Sequence, residues 1–166
     1  MTLENSASIA HAVITLAQGG TALAAGVLTH GVHDDAARIA ADVGRSIGME
    51  TLVIDMAGIE YHPGALNLVA YDRVEPATAT GRPVLFVLKE ADLADACVVA
   101  AMCTIIQRRL GNAPCAILAL TSDIGEDRVS AQVAEGLDGH VGQVIRSRTS
   151  AENARMIEDA VARMAD

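Results

Sequence analysis

His30 and His33 stand three residues apart, directly after an apolar run and directly before Asp34 and Asp35. Asp55 closes a second apolar run, and Glu90 follows a third. Imidazoles and carboxylates of this kind bind Zn²⁺, Mn²⁺ or Fe²⁺, so a metal-dependent hydrolase working at the ends of those runs is one reading. The spacing fixes no third ligand, and helix capping with surface polarity accounts for the same residues. Glu90 has the chemistry of a general base, although a lone carboxylate without a metal or an anion-binding partner is more often structural. His140 could titrate near neutrality, and it reads equally well as an ordinary loop histidine. No Ser-His-Asp set carries a nucleophile elbow. Tyr61-His62-Pro63-Gly64 reads as a turn, which the proline and glycine explain by themselves.

Three cysteines, Cys97, Cys103 and Cys115, are spaced for neither a zinc knuckle nor a CxxC pair. They read as reduced, buried thiols. The net charge of −9 opposes nonspecific attachment to nucleic acid or anionic membrane, which both need a cationic footprint. The densest basic spots, Arg108-Arg109 and Arg146 with Arg148, read as solvated helix or loop ends. The N-terminus lacks the basic start of a signal peptide, and no apolar stretch is long enough to span a bilayer. A cytoplasmic protein is therefore expected.

Any site must be held by a scaffold, and the chain offers one. At 166 residues it suits a single domain able to bury about two-thirds of its unfolded surface. Ala, Val, Leu and Ile dominate, Trp is absent and Phe86 is the only Phe, which suits an α/β fold better than an all-β one. Five apolar runs read as strands: Ala24–Thr29, Thr51–Met56, Pro83–Lys89, Cys115–Thr121 and Gly142–Ser147. The third and fourth show no polar alternation, as expected of strands covered on both faces in a parallel sheet.

Helical periodicity fills the intervals. Helices are expected over Ser6–Ala17, from a cap at Asp34-Asp35 to Ile47, over Ala96–Leu110 behind Asp95, and from Ser150 onward. The last is expected to turn Ala154, Ile157, Val161 and Met164 inward. Glu60–Gly81 reads as one long irregular loop with a short helix at Pro63–Ala70, a place for an insertion or a partner surface. Alternating strands and helices imply right-handed crossovers and a three-layer sandwich.

In such a sheet ligands bind beyond the C-terminal strand ends. A phosphate-binding loop there is Gly-rich and ends in Lys-Ser/Thr, because backbone N–H groups and the lysine neutralise the phosphates. After the first strand this chain has Thr29-His30-Gly31-Val32-His33-Asp34-Asp35, with one glycine, no lysine and two carboxylates that repel a triphosphate. After the third strand a nucleotide hydrolase places an Asp for Mg²⁺ and a Glu for water. Here Lys89 takes the first position and Glu90 the second, and Lys89 is placed to pair with Asp34 or Asp35.

Over roughly residues 20 to 163 the order of these signals resembles the core domain of an AAA+ ATPase. The resemblance runs through GVLTHG…AARIAADVG, LVIDMAGI, GRPVLFVLKEADLAD, ILALTSD and LDGHVGQVIRSRTSAENARMIEDAV. It implies a five-stranded, mainly parallel sheet in the P-loop NTPase manner with strand order 5-1-4-3-2, preceded by an N-terminal helix over about residues 1–20. It also implies that the Walker A loop is shortened and lacks its Gly-Lys-Thr. Lys89 replaces the Walker B Asp, Glu90 matches the catalytic Glu, Thr121 to Asp123 match the sensor-1 region, and His140 falls at the arginine-finger position. No lid domain is expected after the last helix.

Together these departures imply a non-catalytic ATPase-like module, without cofactor, that serves binding or assembly with protein partners or as a homo-oligomer. The ligand-contact candidates are His30, Gly31, His33, Asp34, Lys89, Glu90, Thr121 and His140. Besides the metal hydrolase, a nucleotide or small-molecule sensor without turnover is the other alternative.

Overall fold

In the computed structural model of this chain the described residues are 3–17, 23–31, 35–59, 62–95, 97–109, 114–138, 141 and 143–165. Five strands form one sheet: β1 Leu23–Thr29, β2 Glu50–Asp55, β3 Val84–Lys89, β4 Cys115–Thr121 and β5 Ile145–Arg148. Their spatial order is β2-β3-β4-β1-β5, and every pairing is parallel. Read from the other edge this is the expected order 5-1-4-3-2.

The helices are α1 Leu3–Ala17, α2 Ala36–Ser46, α3 Pro63–Val69, α4 Glu75–Thr78, α5 Val98–Arg109, α6 Glu126–Gly136 and α7 Ser150–Ala165. They lie on both faces of the sheet. On one face Ile9, Val13 and Leu16 of α1 and Ala36, Ala37 and Ala40 of α2 pack with Leu85, Val87, Leu118 and Leu120. On the other, Leu66, Val74 and Ala77 join Val99, Met102 and Ile106 of α5 and Val129 and Val133 of α6. These cover Val27, Phe86, Leu88 and Ile117. β3 and β4 are buried on both faces, apart from Lys89, which explains their unbroken apolar sequences.

Several expectations give way. Glu60–Gly81 is not irregular among its described residues. α3 passes through a π-helical turn, Ala70–Val74, into α4, and Leu66, Val74 and Ala77 of this segment reach the core. His62 is the N-cap of α3 rather than part of a free turn, its Nδ1 accepting from the Gly64 amide at 3.0 Å. The segment also covers a sheet edge, where Arg73 donates to the Val53 carbonyl at 2.6 Å.

α6 has no counterpart in the sequence reading. Its signal was present in Glu126-Asp127 at a first turn and in Val129 and Val133 four apart. The fifth strand begins at Ile145 rather than Gly142. Cys97 is exposed and precedes α5 at φ 69, so only Cys103 and Cys115 are buried thiols.

α7 overturns the expected inward face. Ile157, Val161 and Met164 are 65%, 60% and 86% exposed, and Ala154 is exposed too. The periodicity is real, but nothing in the described chain packs against it. Among the described residues, no helix is long and apolar enough to cross a membrane.

Candidate functional site

The parallel sheet brings the ends of β1, β4 and β3 side by side, and the candidate residues gather there. Thr29 and Thr121 are register partners at the last positions of β1 and β4, and both are fully buried. The ladder continues one step further, the His30 amide donating to the Thr121 carbonyl at 3.1 Å. His30 is half-buried, and its Nδ1 lies 2.9 Å from the Gly31 carbonyl oxygen. Structure therefore unites His30, Gly31 and Thr121. His33, Asp34 and His140 lie outside the described residues.

Asp35 does not serve Lys89. It is the N-cap residue of α2 without a side-chain capping bond, and its carboxylate instead accepts from Arg38 Nε at 2.6 Å. Lys89 is exposed, its register partner is Asp55, and it makes no ion pair among the described residues. Asp55 is occupied as the cap of a 3₁₀ turn, Met56–Gly58, accepting from the Ala57 amide at 3.2 Å. Among the described residues no three His, Cys, Asp or Glu side chains converge as a metal site.

Glu90 is half-buried in the left-handed region at φ 54, ψ 43. That conformation costs a residue with a Cβ about 1–2 kcal/mol. It turns the chain at once from β3 into the 3₁₀ turn Ala91–Leu93. The turn is then latched to the end of β4. Ser122 Oγ donates to the Asp92 carboxylate at 2.7 Å, and Arg128 donates to the Asp92 carbonyl. Thr121 Oγ1 donates to the Ser122 carbonyl at 2.9 Å. Gly125 completes the latch by being small. A Cβ there would lie 2.5 Å from Asp92 Cβ and 2.7 Å from Thr121 Oγ1.

Beside the latch, the first residue of α6 enters a charged contact. Glu126 is 6% exposed and accepts from Arg148 of β5, and Arg146 reaches Asp127 at 2.9 Å. The hydrogen bond to Glu126, reinforced by the charges of Glu126, Asp123 and Asp127, raises the Arg148 guanidinium pKa further, so it is a permanent cation. A buried carboxylate needs such a partner. Arg148 is thus a structural ion-pair partner rather than a solvated loop end, whereas Arg146 and Asp127 pair at the exposed surface.

Asp92, Gly125, Glu126 and Arg128 are residues that sequence reasoning left without a role, while Ser122 reads there only within the sensor-1 region and Arg148 only as a solvated end. Their pairings span up to 36 positions in sequence, and no local spacing reports them. Their polar atoms are directed at one another. What this end of the sheet turns outward includes Leu93, 64% exposed, and Ile124, 97% exposed, on the two latched turns. Neither a scan against protein-family models nor a search of curated proteins finds a match to this chain.

Proposed function

We propose that the protein is a non-catalytic binding or assembly module built on an ATPase-like domain, of the AAA+ kind its sequence resembles, that has lost ATP hydrolysis. The observation carrying this reading is the latch. A turn that a hydrolase would keep for metal and water is tied through Asp92 to Ser122 and Arg128. An exposed lysine, Lys89, precedes it where a hydrolase needs a metal-binding carboxylate. The strand order 5-1-4-3-2 supports an ATPase-like ancestry for the scaffold.

Exposed apolar side chains at Leu93 and Ile124 favour protein surfaces over charged small molecules as the contact made at this end. The metal-hydrolase reading draws no support from the described residues, where Asp35 and Asp55 are engaged in an ion pair and a cap.

Calorimetric titration with ATP and ADP, with and without Mg²⁺, followed by a phosphate-release assay, tests the proposal. Absence of turnover, with no binding up to millimolar nucleotide, is the expected result. Micromolar binding with phosphate release would overturn it.

A further inference from the structure

α1 and α7 meet at one end, and each leaves an uncharged apolar face uncovered. α7 is tied to α1 at its start: Asn5 Oδ1 accepts from the Ala151 amide at 3.0 Å, and the Ser8 and Ser150 hydroxyls are 3.2 Å apart. Beyond that turn only Met156 and Ala160 are half-buried among its described side chains. Ala154, Ile157, Val161 and Met164 recur at intervals of three, four and three, the spacing of a seam between two packed helices. By helix geometry Arg155, Asp159 and Arg163 fall on the opposite half of α7, and Glu158 alone borders the seam.

α1 continues the pattern. Its sequence, LENSASIAHAVITLA, has Glu4 and His11 as its only ionisable side chains. Ile9, Val13 and Leu16 face the core, while Ala7, Ala10, Ile14 and Ala17 repeat the three-four-three spacing on the outer side, exposed or half-buried. A helix apolar on both sides is ordinarily a covered one.

We propose that these faces of α1 and α7 form a two-fold interface with a second copy of this chain. The seam on α7 is self-complementary. In an antiparallel pairing Ala154 meets Met164 of the second copy and Ile157 meets its Val161, so each small residue faces a larger one. Charge selects the same occupant. Two molecules of net charge −9 repel over most of their surfaces, and they approach at least cost where charge is scarce. A partner chosen for its own positive charge would select the acidic remainder. Size requires both helices. Each is about 23 Å long, and a standard interface takes roughly 800 Å² from each partner, more than a single row of four side chains on α7 offers. This deepens the assembly reading by naming the partner and the surface.

Sedimentation velocity of the full chain over a concentration series tests it. A monomer–dimer equilibrium is expected. Val161→Glu and Met164→Glu should each raise the dimer dissociation constant about 30-fold or more, because a carboxylate would be buried without a partner. Their thermal melts at low concentration should match the parent. Leu68→Glu, at an exposed site on α3, should leave the dimer intact. A monomer throughout, a dimer insensitive to both α7 substitutions, or a dimer broken by Leu68→Glu would overturn the proposal. ATP turnover would refute the non-catalytic reading whatever the sedimentation result. A monomer without turnover would refute this interface alone.

Discussion

Ser122 Oγ donates to the Asp92 carboxylate across 2.7 Å, joining the turn after β3 to the turn after β4. Both residues sit at half-buried positions where a lost partner is only partly replaced by water. The link fixes the strand-end surface in one shape instead of leaving two free loops. Ser122→Ala and Asp92→Ala should each destabilise the fold by about 1–2 kcal/mol. In a double-mutant cycle read by urea denaturation, the pair should couple by about 0.5–1 kcal/mol or more. Strict additivity would mean that the two turns are not joined in solution.

Phe86 is fully buried at the middle of β3, between β2 and β4, and is the largest side chain in its cluster. Phe86→Ala should cost about 3–5 kcal/mol, through lost burial and an uncollapsed cavity. A thermal midpoint close to that of the parent would contradict a central β3.

Glu90 holds its left-handed backbone with a full side chain. Glu90→Gly removes the Cβ strain of about 1–2 kcal/mol and adds part of that back as unfolded-chain entropy. A net gain of about 0.5–1 kcal/mol is expected in urea denaturation. A loss would show that the Glu90 carboxylate makes a stabilising contact in solution.

The thiols should sort by burial. Cys97 is exposed and should react with a thiol reagent in the native protein, whereas Cys103 and Cys115 should react only on unfolding. Burial pushes the Cys103 thiol up to about 12, and burial with the neighbouring Cys103 raises Cys115 as well. A folded-state thiol pKa above the unfolded one means that unfolding releases protons in alkali. Stability from this source is therefore complete below about pH 9 and falls as pH rises toward about 12. Cys103→Ala should flatten that decline in pH-dependent denaturation curves. An unchanged slope would mean that Cys103 is not the group responsible.

The scaffold was legible because its signals are local. VLFVL and AILAL are short enough, and rich enough in β-branched and aromatic residues or flanked closely enough by turn residues, to read as strands with two covered faces. The alternation with helical periods leaves few topologies. The absence of a Gly-Lys-Thr phosphate loop was equally plain in residues 29–35. Of the candidate site, the sequence placed His30, Gly31 and Thr121 at neighbouring strand ends. It missed Asp92 and Arg128, because a hydrogen bond between a turn and a helix 36 residues later has no period to detect. It also missed α6, whose short stripe of Val129 and Val133 is weak beside the longer repeat in α7.

The sequence by itself determined the five extended segments and the longer helices, though not α6 or the helical run after α3. Burial on two faces and burial on one stripe write different periods into the chain. Only the tertiary structure decided what each stripe meets. Val129 of α6 and Val161 of α7 look alike as periodic apolar residues, yet one is fully buried and the other 60% exposed. The reason is physical. Periodicity records that a face is apolar, whereas coverage depends on whether another element arrives there, and that is a property of the whole fold or of a partner.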